Sequence, residues 1–95
     1  MAEITPQHVA LPGAVTLAQC TLLRRDLSAQ ITQHDTVLDW QAVEEADSSA
    51  LALILSLMRC GTQAGHVLHH QHVPQSVRTL AALYGLSDLL ALEAG

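Results

Sequence analysis

Residues 37–55 read VLDWQAVEEADSSALALIL, and the fold turns on how this stretch is divided. Acids at Glu44, Glu45 and Asp47 give way to two hydroxyls, Ser48 and Ser49, and then to small and aliphatic side chains. Asp47 stands where a helix N-cap belongs, because a carboxylate there accepts hydrogen bonds from first-turn amides and complements the helix dipole. Projected at about 100° per residue, Leu51, Ile54, Leu55 and Met58 fall together, and Ala50, Leu53 and Leu57 widen the apolar arc past half the circumference. What remains is a narrow strip of Ser48, Ala52, Ser56 and Arg59, with Ser49 at its edge. A solvated helix face ordinarily carries long charged side chains paired at i and i+4. A strip this small and hydroxylic instead lets another backbone come close. The cap accounts for Asp47 but leaves the strip unexplained.

Working outward, TVLDW (36–40) is short, β-branched at its start and flanked by polar residues, which predicts a strand. HVALPG (8–13) reads as another strand, stopped by Pro12 and Gly13. From Thr16 to about Gln33 the pattern is helical, with Cys20, Leu23, Leu27 and Ile31 inward and Arg24, Arg25, Asp26 and Gln30 outward. The helix opened by Asp47 runs to about Gln63, with Gly61 and Gly65 as stop signals. HVLHHQHV (66–73) reads as a third strand, and Pro74 opens a helix whose apolar face is Val77, Leu80, Ala81 and Tyr84, ended by Gly85. SDLLALEAG closes the chain as a short apolar turn. Strands alternating with helices define an α/β class, a small mixed sheet with helices packed over it, in a single domain over residues 1–95.

Composition removes several function classes. Hydrophobic residues are 49% of the 95 and aromatics 2%, so the core is aliphatic. The net charge is −5, with four arginines and no lysine, which argues against nucleic-acid binding and excludes lysine-based phosphate or Schiff-base chemistry. The charge-free run from Ser48 to Met58 is 11 residues, about half of what a membrane-crossing helix needs. The first residues, MAEITPQHVALPG, lack the basic start and apolar core of a signal peptide. A cytosolic location is expected, with Cys20 and Cys60 as buried thiols in a reduced compartment.

Catalytic constellations are thin. Glu44 and Glu45 are adjacent loop carboxylates, better suited to solvent or a partner than to acid–base work. Ser48 lacks an identifiable histidine base, and no glycine-rich phosphate loop is present. His66, His70 and His72 share one parity along the third strand with Leu68, while His69 points the other way. With no Cys, Asp or Glu close by in sequence, the run reads as a partly exposed strand, and neither a metal nor a cofactor is expected. Trp40 belongs to the core or its rim, and Arg24 and Arg25 to the solvated side of the first helix.

The stretch VLDWQAVEEADSSALALIL resembles the signature region of STAS domains. There a strand ending in Asp leads through a short loop to Asp-Ser/Thr-small-small-Leu at the start of a helix. Asp39 matches the strand-end Asp, Asp47 the loop Asp, and Ser48 the hydroxyl phosphorylated in sporulation-type members. VALPGAV is similar to the family's strand-Gly turn at Gly13, and VRTLAALYGL (77–86) is similar to the C-terminal helix of MlaB-like members. Ser49 and Ala50 depart from the pattern where many members carry glycine. The resemblance implies a non-catalytic cytoplasmic accessory subunit, held at the bacterial inner membrane through its partner without inserting in the lipid. That partner is the ATPase of an Mla-type ABC transporter, with its permease and lipid-binding substrate protein, which moves phospholipids to maintain outer-membrane lipid asymmetry. It implies contacts through Asp47, Ser48, Ser49, Ala52 and Ser56, with Arg59 at the rim. The alternative it carries is an anti-sigma-factor antagonist regulated by phosphorylation of Ser48.

Overall fold

A computed structural model of the chain describes residues 7–90. The elements run β1 (Gln7–Ala10), β2 (Ala14–Val15), α1 (Leu17–Ile31), β3 (Thr36–Asp39), β4 (Glu45–Ala46), α2 (Ser48–Ala64), β5 (Leu68–Gln71) and α3 (Gln75–Leu83), and then a 3₁₀ turn at Ser87–Leu90. The closing residues 91–95 of the expected apolar turn lie outside the described residues.

β1, β3 and β5 form one sheet with β3 central, and β2 and β4 form a second, two-residue-long pair. Every pairing among the described residues is parallel, without the antiparallel partner a mixed sheet would contain. The reason is connectivity: a helix lies between successive strands of the main sheet, and such crossovers return the chain in the same direction. Leu38 stands between Val9 and His70 in register, and Thr36 between Gln7 and Leu68. Leu38, Thr36, Leu68 and His70 are all buried, so this face meets the helices. On it pack Leu27 and Ile31 of α1, Ile54 and Leu57 of α2, and Val77 and Ala81 of α3, with Trp40 just past the end of β3. The opposite face carries the row His8–Val37–His69, in which His8 is exposed and His69 half-buried.

α1 and α2 lie side by side and point the same way. The amide of Leu17 at the start of α1 donates to Asp47 at the start of α2 (3.3 Å), while near the other ends the Cys60 thiol donates to the Ser28 hydroxyl (3.6 Å). At the start of α1 the Gln19 side-chain oxygen accepts from the Thr16 amide (3.0 Å) and hydroxyl (2.6 Å). Gly65 ends α2 at φ 78°, a left-handed conformation that glycine adopts without Cβ strain. Gly61, expected as a stop signal, is instead a buried position inside the helix. A Cβ there would stand 3.0 Å from the His66 carbonyl oxygen and 3.1 Å from Cγ2 of Ile31, so its smallness serves close packing.

Candidate protein-docking surface

The start of α2 is held by three short links. The Gly13 carbonyl accepts from the amides of Glu44 (2.8 Å) and Glu45 (3.1 Å), and β2 pairs with β4. The Asp47 carboxylate then accepts from Ser49 N–H (2.9 Å) with one oxygen and from Leu17 N–H with the other (3.3 Å). Asp47 therefore ties together the N-termini of two helices, where a single cap was expected. Its charge also reaches Cys20, whose thiol is raised above its ordinary value, first by burial and then by Asp47. Cys20 and Cys60 are both free and only half-buried.

The strip read from periodicity comes to one face of α2. Ser48, Ala52 and Arg59 are exposed, and Asp47, Ser49 and Ser56 half-buried, while Ala50, Leu51, Leu53, Ile54 and Leu57 are buried. The Ser48 hydroxyl has no hydrogen-bond partner among the described residues. Depressions flank the strip on both sides. Toward α1 one is lined by Leu17, Cys20, Thr21 and Arg24 against Ser49, Ala52, Leu53 and Ser56. Toward the C-terminal segment another is lined by Ser48, Leu51, Ala52, Leu55, Tyr84 and Leu86. Tyr84 was expected on the buried face of α3. The helix ends at Leu83, Tyr84 leaves helical geometry, and Gly85 turns the chain at φ 69°, which leaves the ring 60% exposed beside α2.

The histidine run departs from its expected reading. β5 covers only Leu68–Gln71, so His66 and His72 lie outside it. His70 is fully buried, because register sets it beside Leu38 on the helix-covered face. Its Nδ1 accepts from the indole N–H of Trp40 (3.2 Å), which places the proton of the neutral ring on Nε2, a buried atom with no hydrogen-bond partner among the described residues. Burial, with a smaller push from His69, holds the His70 pKa down to about 4. His66 and His72 each donate to a carboxylate distant in sequence, Asp35 (3.1 Å) and Asp39 (3.0 Å). The Asp39 carboxyl is held below its usual range, mainly by the Gln41 amide and then by His72. His72 adopts φ 58°, the single positive-φ non-glycine among the described residues. No group of three His, Cys, Asp or Glu side chains among the described residues is arranged to hold a metal ion.

The architecture is that of an STAS domain. The anti-sigma factor antagonist SpoIIAA, in its unphosphorylated form, superposes on it with a TM-score of 0.73 over 99% of this chain and 85% of that one, at 20% identity. Residues 2–91 match the family described as "Mlab, STAS domain", and the chain belongs to that family. No curated protein sequence matches it. Among the described residues no helix is long and apolar enough to cross a membrane.

Proposed function

We propose that this chain is a non-catalytic accessory subunit that docks on the ATPase of an Mla-type phospholipid ABC transporter. It would act from the cytoplasmic side, at the inner membrane, through that partner alone. The observation that carries this reading is the exposed ridge of Ser48, Ala52 and Arg59 on a helix whose opposite face, Ala50, Leu51, Leu53, Ile54 and Leu57, is buried, in a chain of the Mlab-described STAS family. Small side chains let a partner's backbone approach, and the half-buried Asp47, Ser49 and Ser56 border the contact. Tyr84, beside the ridge, supplies an aromatic anchor of the kind that concentrates binding energy.

The same hydroxyl is the proposed site of control. Ser48 opens α2, where the positive end of the helix dipole favours a phosphate. A phosphate adds roughly −1.5 to −2 charges at the centre of a close-packed contact and would block docking. The test is co-purification of the tagged chain with the ATPase subunit. Ser48→Arg and Ser48→Glu are expected to abolish the complex while circular dichroism and melting stay nearly unchanged, since an exposed site of this kind shifts stability by about 0.5 kcal/mol at most. A complex that survives both substitutions overturns the reading.

A further inference from the structure

We infer that the groove between α1 and α2 receives a helix of the partner protein whose flanks are acidic. This rests on the docking role proposed above for the adjoining ridge, and it adds α1 to the contact. The walls are Leu17, Thr21 and Arg24 from α1 and Ser49, Ala52 and Ser56 from α2. The depression continues along α1 past Leu22 and Arg25 to Ser28 and Cys60. Because the two helices run in the same direction, the groove follows them for about 16 Å, the length of three helical turns. Small walls over that length suit a helix backbone. Leu17 and Leu22 are 73% and 59% exposed at its rim, so the guest must offer apolar surface.

Charge selects the guest's flanks. The chain has a net charge of −5 and only four cationic side chains; two of them, Arg24 and Arg25, line this groove, while Arg59 lines a separate depression with Leu55 and Met58. All three are exposed. Among the described residues Arg24 and Arg59 have no ion-pair partner, and Arg25 only grazes Asp26 at 3.9 Å. The Asp47 carboxylate, held by two backbone amides, acts at the Leu17 end of the groove, where its charge reaches Cys20, so the acidic flanks of the guest lie toward Arg24 and Arg25. A second copy of this chain does not fit the site. α2 and α3 contain no acid and α1 only Asp26, and the paired acids Glu44 and Glu45 lie in and beside β4.

The test uses the full-length chain, labelled with nitrogen-15, and three stapled helical peptides of 14 or so residues. They share one Ala/Leu face and carry Glu, Gln or Lys on both flanks. The Glu peptide is expected to bind about fivefold more tightly than the Gln peptide, since two exposed charge pairs each contribute modestly. It should move amide signals of residues 17–28 and 49–60, and weaken as salt rises. The double variant Arg24→Glu/Arg25→Glu, remote from the core, should invert the order in favour of the Lys peptide. Equal affinities, signals moving on the sheet face instead, or binding of anionic vesicles through these arginines without peptide preference would each overturn the inference. Loss of the ATPase complex in Ser48→Arg, without any preference among peptides, removes this inference and leaves the proposed function standing. A clear Glu preference without any ATPase binding does the reverse.

Discussion

Lowering the pH from 7 to 4 should destabilise this protein through one buried side chain, and a variant that cannot titrate there should resist. His70 is fully buried, accepts the Trp40 indole N–H on Nδ1, and has no partner for Nε2 among the described residues. Protonation would put a charge in the aliphatic core and turn the acceptor of that bond into a donor facing a donor. Burial therefore holds its pKa at about 4, against 6.5 for a free imidazole. The unfolded chain takes up the proton as pH falls through 6.5, while the folded chain does so only near 4. The neutral side chain's contribution is thus complete above 6.5 and is lost as pH falls from there to about 4. At about 1.4 kcal/mol per pH unit, the loss is about 3 kcal/mol, a large part of the stability of a small domain. His70→Gln keeps an oxygen acceptor for the indole and removes the titration. Urea unfolding at pH 7, 6, 5 and 4.5, followed through Trp40, the chain's single tryptophan, measures both proteins on the same probe. Every other group is common to the pair, so the difference between their pH curves belongs to His70. Parallel curves would refute the reasoning.

Substitutions at three further positions test the packing and backbone geometry of the fold. Gly61→Ala should lower the melting temperature, by about 1–3 kcal/mol in stability, since the added methyl meets a backbone carbonyl at 3.0 Å and buried Ile31. A stabilised Gly61→Ala would show that the α1–α2 contact is looser than described. Asp47→Ala removes acceptors from both helix starts and is expected to cost about 1–2 kcal/mol in denaturant titration, with amide exchange rising at Leu17 as well as at Ser49. His72→Val places a β-branched side chain at φ 58° and should destabilise by about 1–3 kcal/mol, whereas His72→Asn, more tolerant of that conformation, should melt closer to the parent protein.

Features governed by neighbours a few residues apart were legible in the sequence. The 3.6-residue repeat of α2 separates Ser48, Ala52 and Arg59 from Leu51, Ile54 and Leu57, because helix geometry is local and a buried face must be continuous. Asp47 and Gly65 mark the ends of that helix for equally local reasons, a cap on one side and a left-handed turn on the other. The alternation of strands and helices, with the Asp-Ser-Ser signature, was enough for the fold class.

Features that join distant segments were decided only by tertiary structure. Leu17 lies 30 residues from the carboxylate that accepts its amide, as does Trp40 from His70. Parity along β5 groups His66, His70 and His72, yet strand register buries one and leaves the others beside Asp35 and Asp39. Gly61 reads as a stop signal until Ile31 is packed against it. Arg24 reads as a solvated residue until α2 lies alongside and makes it the wall of a groove. Periodicity within one element tells which side of a helix is inward. Which element it faces depends on register and helix packing, set by the burial of the whole chain at once.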